Sequence, residues 1–399
     1  MTPNAEQRET QAQIQALARE FADRELRPRS AAWDQARALD DRVFRQLGEL
    51  GFLGMTVAEN AGGLGLDLLT YVIVLEELAR GDAAVALSVG VHNGPVAALL
   101  ARHGSEAVKG ALLPALASGE RLGAFALSEP LAGSDLSPGD AWAPVVSTKA
   151  IADGNGWRLT GSKSWVANGQ RAGLAVVFAR TGERALGAFV VELPADGWRV
   201  THRERTMGLA ASETVTVELD GVRVAHDRAL GGPGAGLALA LEALDLARLG
   251  TAAQAVGIAR AALEHAVGYA KQREQFGQAI AHFGGIQEKL AEMARRVTAA
   301  RAVTHAAAAR LAGGGGEGPV PGGRGLDAPA AWAAIAKLTA SETATWVADE
   351  AVQVFGGYGY MRDYPVEKLM RDAKGTEILD GTSEMLRMVI ARALLRDAD

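Results

Sequence analysis

Thr214-Val215-Thr216-Val217-Glu218-Leu219 is the stretch that decides the fold class. Its residues alternate strictly, with Val215, Val217 and Leu219 on one face and Thr214, Thr216 and Glu218 on the other, the pattern of a half-buried strand. Working outward, Leu174-Ala-Val-Val-Phe178 and Ala188-Phe-Val-Val-Glu192 are further short apolar runs separated by glycine. Strands that follow one another without helices between them point to an antiparallel sheet or barrel, here spanning residues 123–232.

Helical texture lies on both sides. In residues 1–122, Leu75, Leu78 and Ala79 recur on one face beside Glu76 and Glu77, and Arg80-Gly81-Asp82 supplies a stop and a new start. The uncharged run Ala83–Ala101 is long enough to raise the question of a membrane span. His92-Asn93-Gly94-Pro95 in its middle predicts a break, leaving two buried helices. Beyond Gly236, the stripe Ile286, Leu290, Met293, Val297, Ala300, Thr304 and Leu311 predicts a long helix, with Glu292 and Arg296 paired on its outer side. Gly313 to Pro329 reads as a flexible connection; although Gly313, Gly315 and Gly318 formally satisfy GxGxxG, no strand precedes them. The expected fold class is α+β: a helical domain (1–122), a central antiparallel β domain (123–232) and a helical domain (233–399).

Composition narrows the chemistry. The 399 residues include no cysteine, which removes disulfides, thiol nucleophiles and cysteine metal sites. The seven histidines never fall at an HExxH spacing, so no metal centre is expected. A formal charge of −6 gives no bulk attraction to nucleic acid or anionic lipid. GxxxxGK[ST] and GxSxG are both missing. With Glu6 and Glu9 and no apolar core, the start does not read as a secretion signal. A cytoplasmic protein with no membrane span and no nucleic-acid partner is expected.

Three segments stand out: Phe125-Ala-Leu-Ser-Glu-Pro-Leu-Ala-Gly-Ser-Asp135; Gln353-Val-Phe-Gly-Gly-Tyr-Gly-Tyr360 with Tyr364-Pro-Val-Glu-Lys-Leu-Met-Arg-Asp372; and Ile378-Leu-Asp-Gly-Thr-Ser-Glu-Met-Leu-Arg387. Structurally they are a turn, a helix-ending glycine turn and a helix cap. Functionally, glycine pairs let backbone N–H groups approach an anion. Ser128, Ser134 and Thr382 add neutral donors, and Trp165 offers a flat aromatic face.

In this order and separation the segments resemble the acyl-CoA dehydrogenase family of flavoproteins. Ala61-Gly-Gly-Leu-Gly-Leu66, Lys163-Ser-Trp-Val-Ala-Asn-Gly169, Met207-Gly208 with Ser212, and Arg273-Glu-Gln-Phe-Gly277 extend the likeness over nearly the whole chain. The resemblance implies a helical domain, a β domain and a C-terminal four-helix-bundle domain, assembled as a homotetramer or dimer of dimers. It implies FAD held by Phe125, Leu127, Ser128 and Ser134 on one side and by Trp165 and Ala167 at the other edge. Arg273, Phe276, Gln353, Gly356 and Gly357 would reach the FAD of a neighbouring subunit, and Thr382 and Glu384 would complete the site. Ser134, Asp245, Arg248 and Gly381 would bind the acyl thioester, and an electron-transfer flavoprotein would accept the electrons.

The activity implied is α,β-dehydrogenation: a carboxylate takes the α-proton while hydride leaves the β carbon for flavin N5. The base position before Gly381-Thr382 is Asp380, where most relatives carry glutamate; aspartate is about 1.5 Å shorter in reach. The alternative base location, before Arg248, is Ala247 and cannot serve. Ala167 stands where relatives usually place a hydroxyl, and Gly284 replaces a common glutamine for which Gln287 could substitute. Pro138 and a lengthened segment up to Val146 lie near the expected CoA entrance, so the thioester is that of CoA or of a carrier protein. An aspartate base also suits a flavin oxidase or monooxygenase of the nitroalkane-oxidase type, and a non-catalytic DNA-binding relative would need a basic face.

Overall fold

The computed structural model describes residues 5–134, 146–183, 185–232, 234–312 and 325–395. Asp135, the lengthened segment after Pro138, and the glycines at 313, 315 and 318 lie outside the described residues. The N-terminal helices are α1 (Ala5–Phe21), α2 (Arg27–Ala36), α3 (Asp41–Glu49), α4 (Leu68–Gly81), α5 (Ala83–Val91), α6 (Leu99–His103) and α7 (Glu106–Ala117). Asp67 starts α4 by accepting from the Thr70 N–H, and Asp82 starts α5 by accepting from Ala84 and Val85. Each cap satisfies donors that a helix leaves orphaned at its first turn.

Two features differ from the sequence expectation. His92–Ala98 does not break the helix; it is a π-helical segment that joins α5 to α6 without interruption. The wider turn accommodates Pro95, and the polar side chains are satisfied internally. Asn93 donates to the carbonyls of Phe52 and Val89 and accepts from the Met55 N–H, while His92 Nε2 meets the carbonyls of Leu53 and Leu116. The resulting 21-residue helix Ala83–His103 is long and apolar enough to cross a membrane by length and composition, yet 89% of its most apolar window is buried inside the fold. The second difference is on α4, where Glu76 and Glu77 are fully buried rather than flanking an apolar stripe.

The β domain holds β1 (Gly123–Ala126), β2 (Lys149–Asp153), β3 (Gly156–Val166), β4 (Leu174–Arg180), β5 (Leu186–Glu192), β6 (Trp198–Arg203), β7 (Val215–Ala225) and β8 (Ala229–Leu230). Their order is β6-β7-β3-β2-β4-β5-β8, with β1 added alongside β4. The pairings are antiparallel except β1 with β4 and a single pair between β2 and β4, which are parallel. As the alternation requires, Val215, Val217 and Leu219 are buried, packed with Val177, Phe189 and Val191. The opposite face buries Val176, Phe178 and Val190 against Leu99, Leu112, Leu116 and Leu239. Burying side chains of this size contributes about 1.5–3 kcal/mol each.

The C-terminal helices are α8 (Gly236–Gln272), α9 (Gly284–Leu311), α10 (Pro329–Phe355), α11 (Pro365–Ile378) and α12 (Ser383–Leu395). On α9, Met293, Val297, Ala300, Thr304 and Leu311 are buried as the stripe predicts, and Arg296 pairs with Glu292 at 2.7 Å. Helix α8 crosses α4 closely: a Cβ on Gly257 would lie 2.4 Å from the Glu76 carbonyl oxygen. Met207-Gly208 has a similar reason, since a Cβ on Gly208 would lie 2.2 Å from the Arg371 carbonyl oxygen. Beside it the Leu209 N–H donates to Asp372 at 2.6 Å, fastening the β domain to α11.

Candidate active site

Asp380 and Gly381 form the connection between α11 and α12, with φ of +56° and +109°. A non-glycine residue in the left-handed region is held there by its surroundings. Asp380 is partly buried, and its Oδ2 accepts a 2.6 Å hydrogen bond from Thr251. Arg248 Nε donates to the Asp380 carbonyl at 3.1 Å, and Lys337 Nζ donates to the Gly381 carbonyl at 2.7 Å. Burial pushes the Asp380 carboxyl above its ordinary pKa, against the Thr251 hydrogen bond and the charges of Lys337 and Arg248. Burial likewise draws Lys337 down to about 8, with Asp380 opposing.

Asp245 lies one helical turn before Arg248 and pairs with its Nη1 at 2.9 Å. Burial raises Asp245 to about 6, with Arg248 opposing and Glu242 adding to the rise. The structure therefore brings Asp245, Arg248, Asp380 and Gly381 together. Ala247 and Thr251 are one turn apart on α8, so the residue that meets Asp380 lies four positions beyond the rejected base location. Sequence reading missed Thr251 for that reason. It also missed Lys337, whose signal is a lysine inside the apolar stretch Ala333–Ala340.

A second group gathers where β1 leaves the sheet. Phe125 is half-buried, edge-on to Phe178 at 5.5 Å between ring centroids. Lys163, fully buried on β3, donates to the Leu127 carbonyl and to Glu129, both at 2.9 Å, and the Ser164 N–H donates to the Ser128 carbonyl. Glu129 also accepts from Ser147 and Thr148. That buried pair fixes the Leu127-Ser128 backbone against β3 at Ser164, next to Trp165 in the chain, and neither member was singled out from sequence. Trp165 is 54% exposed and itself at φ +56°; Ala167 is half-buried and Ser134 is exposed.

Arg273, Phe276, Gln353, Gly356 and Gly357 form a third group. Arg273 sits over the Tyr358 ring at 5.4 Å, joining the end of α8 to the Gly356–Tyr360 turn. Phe276 is 95% exposed, at φ +52°. From Arg248 to the end of α8 at Gln272 is 24 residues, about 36 Å at 1.5 Å per residue, so the chain keeps this group apart from Asp380. Thr382 begins α12, accepting from the Met385 N–H, with Glu384 exposed in the first turn; this is the capping role the segment also allowed. Gln287 donates to the Ala281 carbonyl, a local contact.

The side chains present fit the FAD that the resemblance implies. Nothing lies within 4 Å of a Cβ built on Gly284, Gly285, Gly356 or Gly357, so these backbones face open space. Among the described residues Arg273 makes no ion pair, leaving its fork for phosphate oxygens. Ser88 Oγ and Asn168 Oδ1, next to Ala167, are buried without hydrogen-bond partners among the described residues.

Residues 8–120 match the description "Acyl-CoA dehydrogenase, N-terminal domain", residues 124–222 the middle domain and residues 234–395 the C-terminal domain. An acyl-CoA dehydrogenase of Bacillus subtilis is 40% identical over 96% of this chain and 98% of its own. The human mitochondrial short-chain specific acyl-CoA dehydrogenase is 39% identical over 97% of this chain and 90% of its own. Among solved structures, the butyryl-CoA dehydrogenase of Megasphaera elsdenii superposes with a TM-score of 0.89 at 37% identity, over 97% of this chain and 98% of its own. A chain from a study of the electron transferring flavoprotein of Acidaminococcus fermentans gives 0.90 at 38% identity, over 97% and 98%. A glutaryl-CoA dehydrogenase of Mycobacterium smegmatis in complex with FADH2 gives 0.88 at 29% identity, over 98% and 95%. Three matches running in domain order, with relatives this similar along almost all of the sequence, place the chain in the acyl-CoA dehydrogenase family.

Proposed function

We propose that this protein is an FAD-dependent oxidoreductase that removes the α and β hydrogens of an acyl-CoA thioester, with Asp380 as the base. The observation carrying this reading is the Asp380 carboxylate itself, strained, partly buried and raised in pKa beside Arg248 and Lys337. A base poised nearer neutrality suits abstraction of a weakly acidic proton α to a thioester carbonyl. With Oδ2 engaged by Thr251, Oδ1 is the atom that receives the α-proton. FAD, when bound, supplies the acceptor for the hydride leaving the β carbon. Phe125, Leu127, Ser128, Ser134, Trp165 and Ala167 would hold its ring, and Thr382 and Glu384 would complete that site. Ser134, Asp245, Arg248 and Gly381 would bind the thioester.

The separation of about 36 Å along α8 supports a neighbouring copy as the source of Arg273, Phe276, Gln353, Gly356 and Gly357, hence a homotetramer or dimer of dimers. Domain limits of 1–122, 123–232 and 233–399, a cytoplasmic site of action, and an electron-transfer flavoprotein as acceptor belong to the same proposal. The deciding experiment is a flavin-bleaching screen of the purified protein against acyl-CoAs of varied chain length and one carrier-protein thioester. Bleaching by an acyl-CoA is expected, and no bleaching by any thioester overturns the reading. A second reading, a flavin oxidase or monooxygenase, is favoured by the aspartate at 380. Rapid reoxidation of the reduced flavin by air selects it, whereas slow reoxidation selects the dehydrogenase.

A further inference from the structure

Three side chains from two other helices grip the Asp380-Gly381 connection at separate atoms. Thr251 holds a carboxylate oxygen, Arg248 the Asp380 carbonyl and Lys337 the Gly381 carbonyl. Thr251 and Arg248 are each buried, and Lys337 is fully buried. A lysine out of water normally has a carboxylate at hydrogen-bond distance. Here its hydrogen bond goes to a neutral carbonyl, and its charge acts on Asp380 through space.

We propose that Thr251 and Lys337 are positioning residues that make the short aspartate competent as the base: Thr251 immobilises Oδ2 and leaves Oδ1 free, while Lys337 holds the left-handed Asp380-Gly381 backbone and favours the ionised carboxylate. This rests on the reading of Asp380 as base. Aspartate carries its carboxylate one methylene closer to its backbone than glutamate, so the placement of its backbone and of each oxygen matters more. Thr251 donates to the charged form and Lys337 faces it as a cation, so removing either raises the Asp380 pKa. The other groups facing this carboxylate are Arg248 on α8, itself paired with Asp245, and Tyr71 on α4, whose hydroxyl donates to the Gly90 carbonyl; Glu342 and Glu377 act on Lys337.

The test follows proton abstraction without redox. The flavin-loaded enzyme is incubated in D2O with acetyl-CoA, which has α hydrogens but no β carbon, and exchange is followed by NMR against pH. In the unaltered enzyme the exchange rate rises with pH through the Asp380 pKa. Thr251→Val is expected to keep exchange while moving the midpoint up by about one unit, the equivalent of losing a donor to a charged group. Thr251→Ser is expected to restore it, and Lys337→Gln to move it upward. An unmoved midpoint in both Thr251→Val and Lys337→Gln overturns the proposal. Thr251→Ala takes the place of Thr251→Val if flavin content shows that the valine variant is misfolded. Asp380→Asn separates the two levels: full exchange in that variant removes Asp380 as base, whatever Thr251 does.

Discussion

Glu77 on α4 and Asp380 between α11 and α12 are both carboxylates withdrawn from water, and they settle on opposite sides of their ordinary pKa values. Burial raises both. At Glu77 it is outweighed by Arg260 at 2.9 Å, with Arg19, Arg80 and Gln15 also donating, and the carboxyl falls to about 2. At Asp380 one hydroxyl donates to the carboxylate, while the nearby cations donate to backbone carbonyls and, in the case of Arg248, to Asp245, so burial prevails. The difference lies in where the positive charges place their donors. Glu77 ties α1, α4 and α8 together; Asp380 retains a proton affinity it can use.

The largest break in this contrast is Asp380→Asn. Flavin should remain bound while its reduction by an acyl-CoA falls by about 10²–10⁴, the usual contribution of a positioned base. Stopped-flow reduction of the flavin measures this, and an unchanged rate removes Asp380 from the chemistry. Next comes Glu77→Leu, which takes one carboxylate from Arg80 and Arg260, leaving Arg80 with Asp23 and Glu264 and Arg260 with Glu76; the buried donors left unsatisfied should cost about 1–3 kcal/mol, read from the urea midpoint. A wild-type midpoint would make the network decorative.

The pH dependence of stability sharpens the same comparison, because the two shifts have opposite signs. Glu77 has a lowered folded pKa, so its contribution is present above the unfolded value near 4.5 and is lost as pH falls toward about 2. Asp245 is raised, so its contribution is complete below 3.8 and is lost as pH rises through about 6. Urea midpoints of Glu77→Gln and Asp245→Asn should therefore lie nearest wild type at low pH, where both carboxyls are protonated, and depart in opposite directions as pH rises, Glu77→Gln falling below wild type and Asp245→Asn rising above it.

Smaller effects lie at the flavin. Arg273→Ala should weaken FAD retention about 10–100-fold and lower the oligomeric state with it, as expected for a lost charge-assisted pair; full flavin content in an intact oligomer would contradict this. Ala167→Ser, restoring one neutral donor, should alter the reduction rate only severalfold. A change of several decades would mean that residue 167 does more than tune the flavin.

Much of this arrangement was legible in the chain. Strand alternation at 214–219, the stop at Arg80-Gly81-Asp82 and the α9 stripe are local signals, and local periodicity survives folding. The resemblance grouped Asp380, on the short connection between α11 and α12, with Arg248 and Asp245, one turn apart on α8. Thr251, Lys337 and the Lys163–Glu129 pair were not legible, since their roles depend on contacts across 129, 44 and 34 residues of chain. Glu76 and Glu77 failed for the opposite reason. They look like surface residues until Arg260, Arg301 and His305 arrive from distant helices. At His92–Pro95 the error was in treating proline and buried amides as terminators, when the loop Phe52–Met55 supplies the partners they need.

The π segment at His92–Ala98 also sets a rule for sequence change in this region. It behaves as an extra residue absorbed into a continuous rod, and an α-helix turns 100° per residue. Deleting one residue there would turn α5 relative to α6 by roughly that angle, swinging Val85 and Val89 or Leu99 and Leu100 out of their packing. His92 Nδ1, which accepts the Gly123 N–H at the first residue of β1, would lose its alignment in the same stroke. Point substitutions that respect volume are thus far gentler than any change of length, and the phase of this one helix sets the entry angle of the sheet.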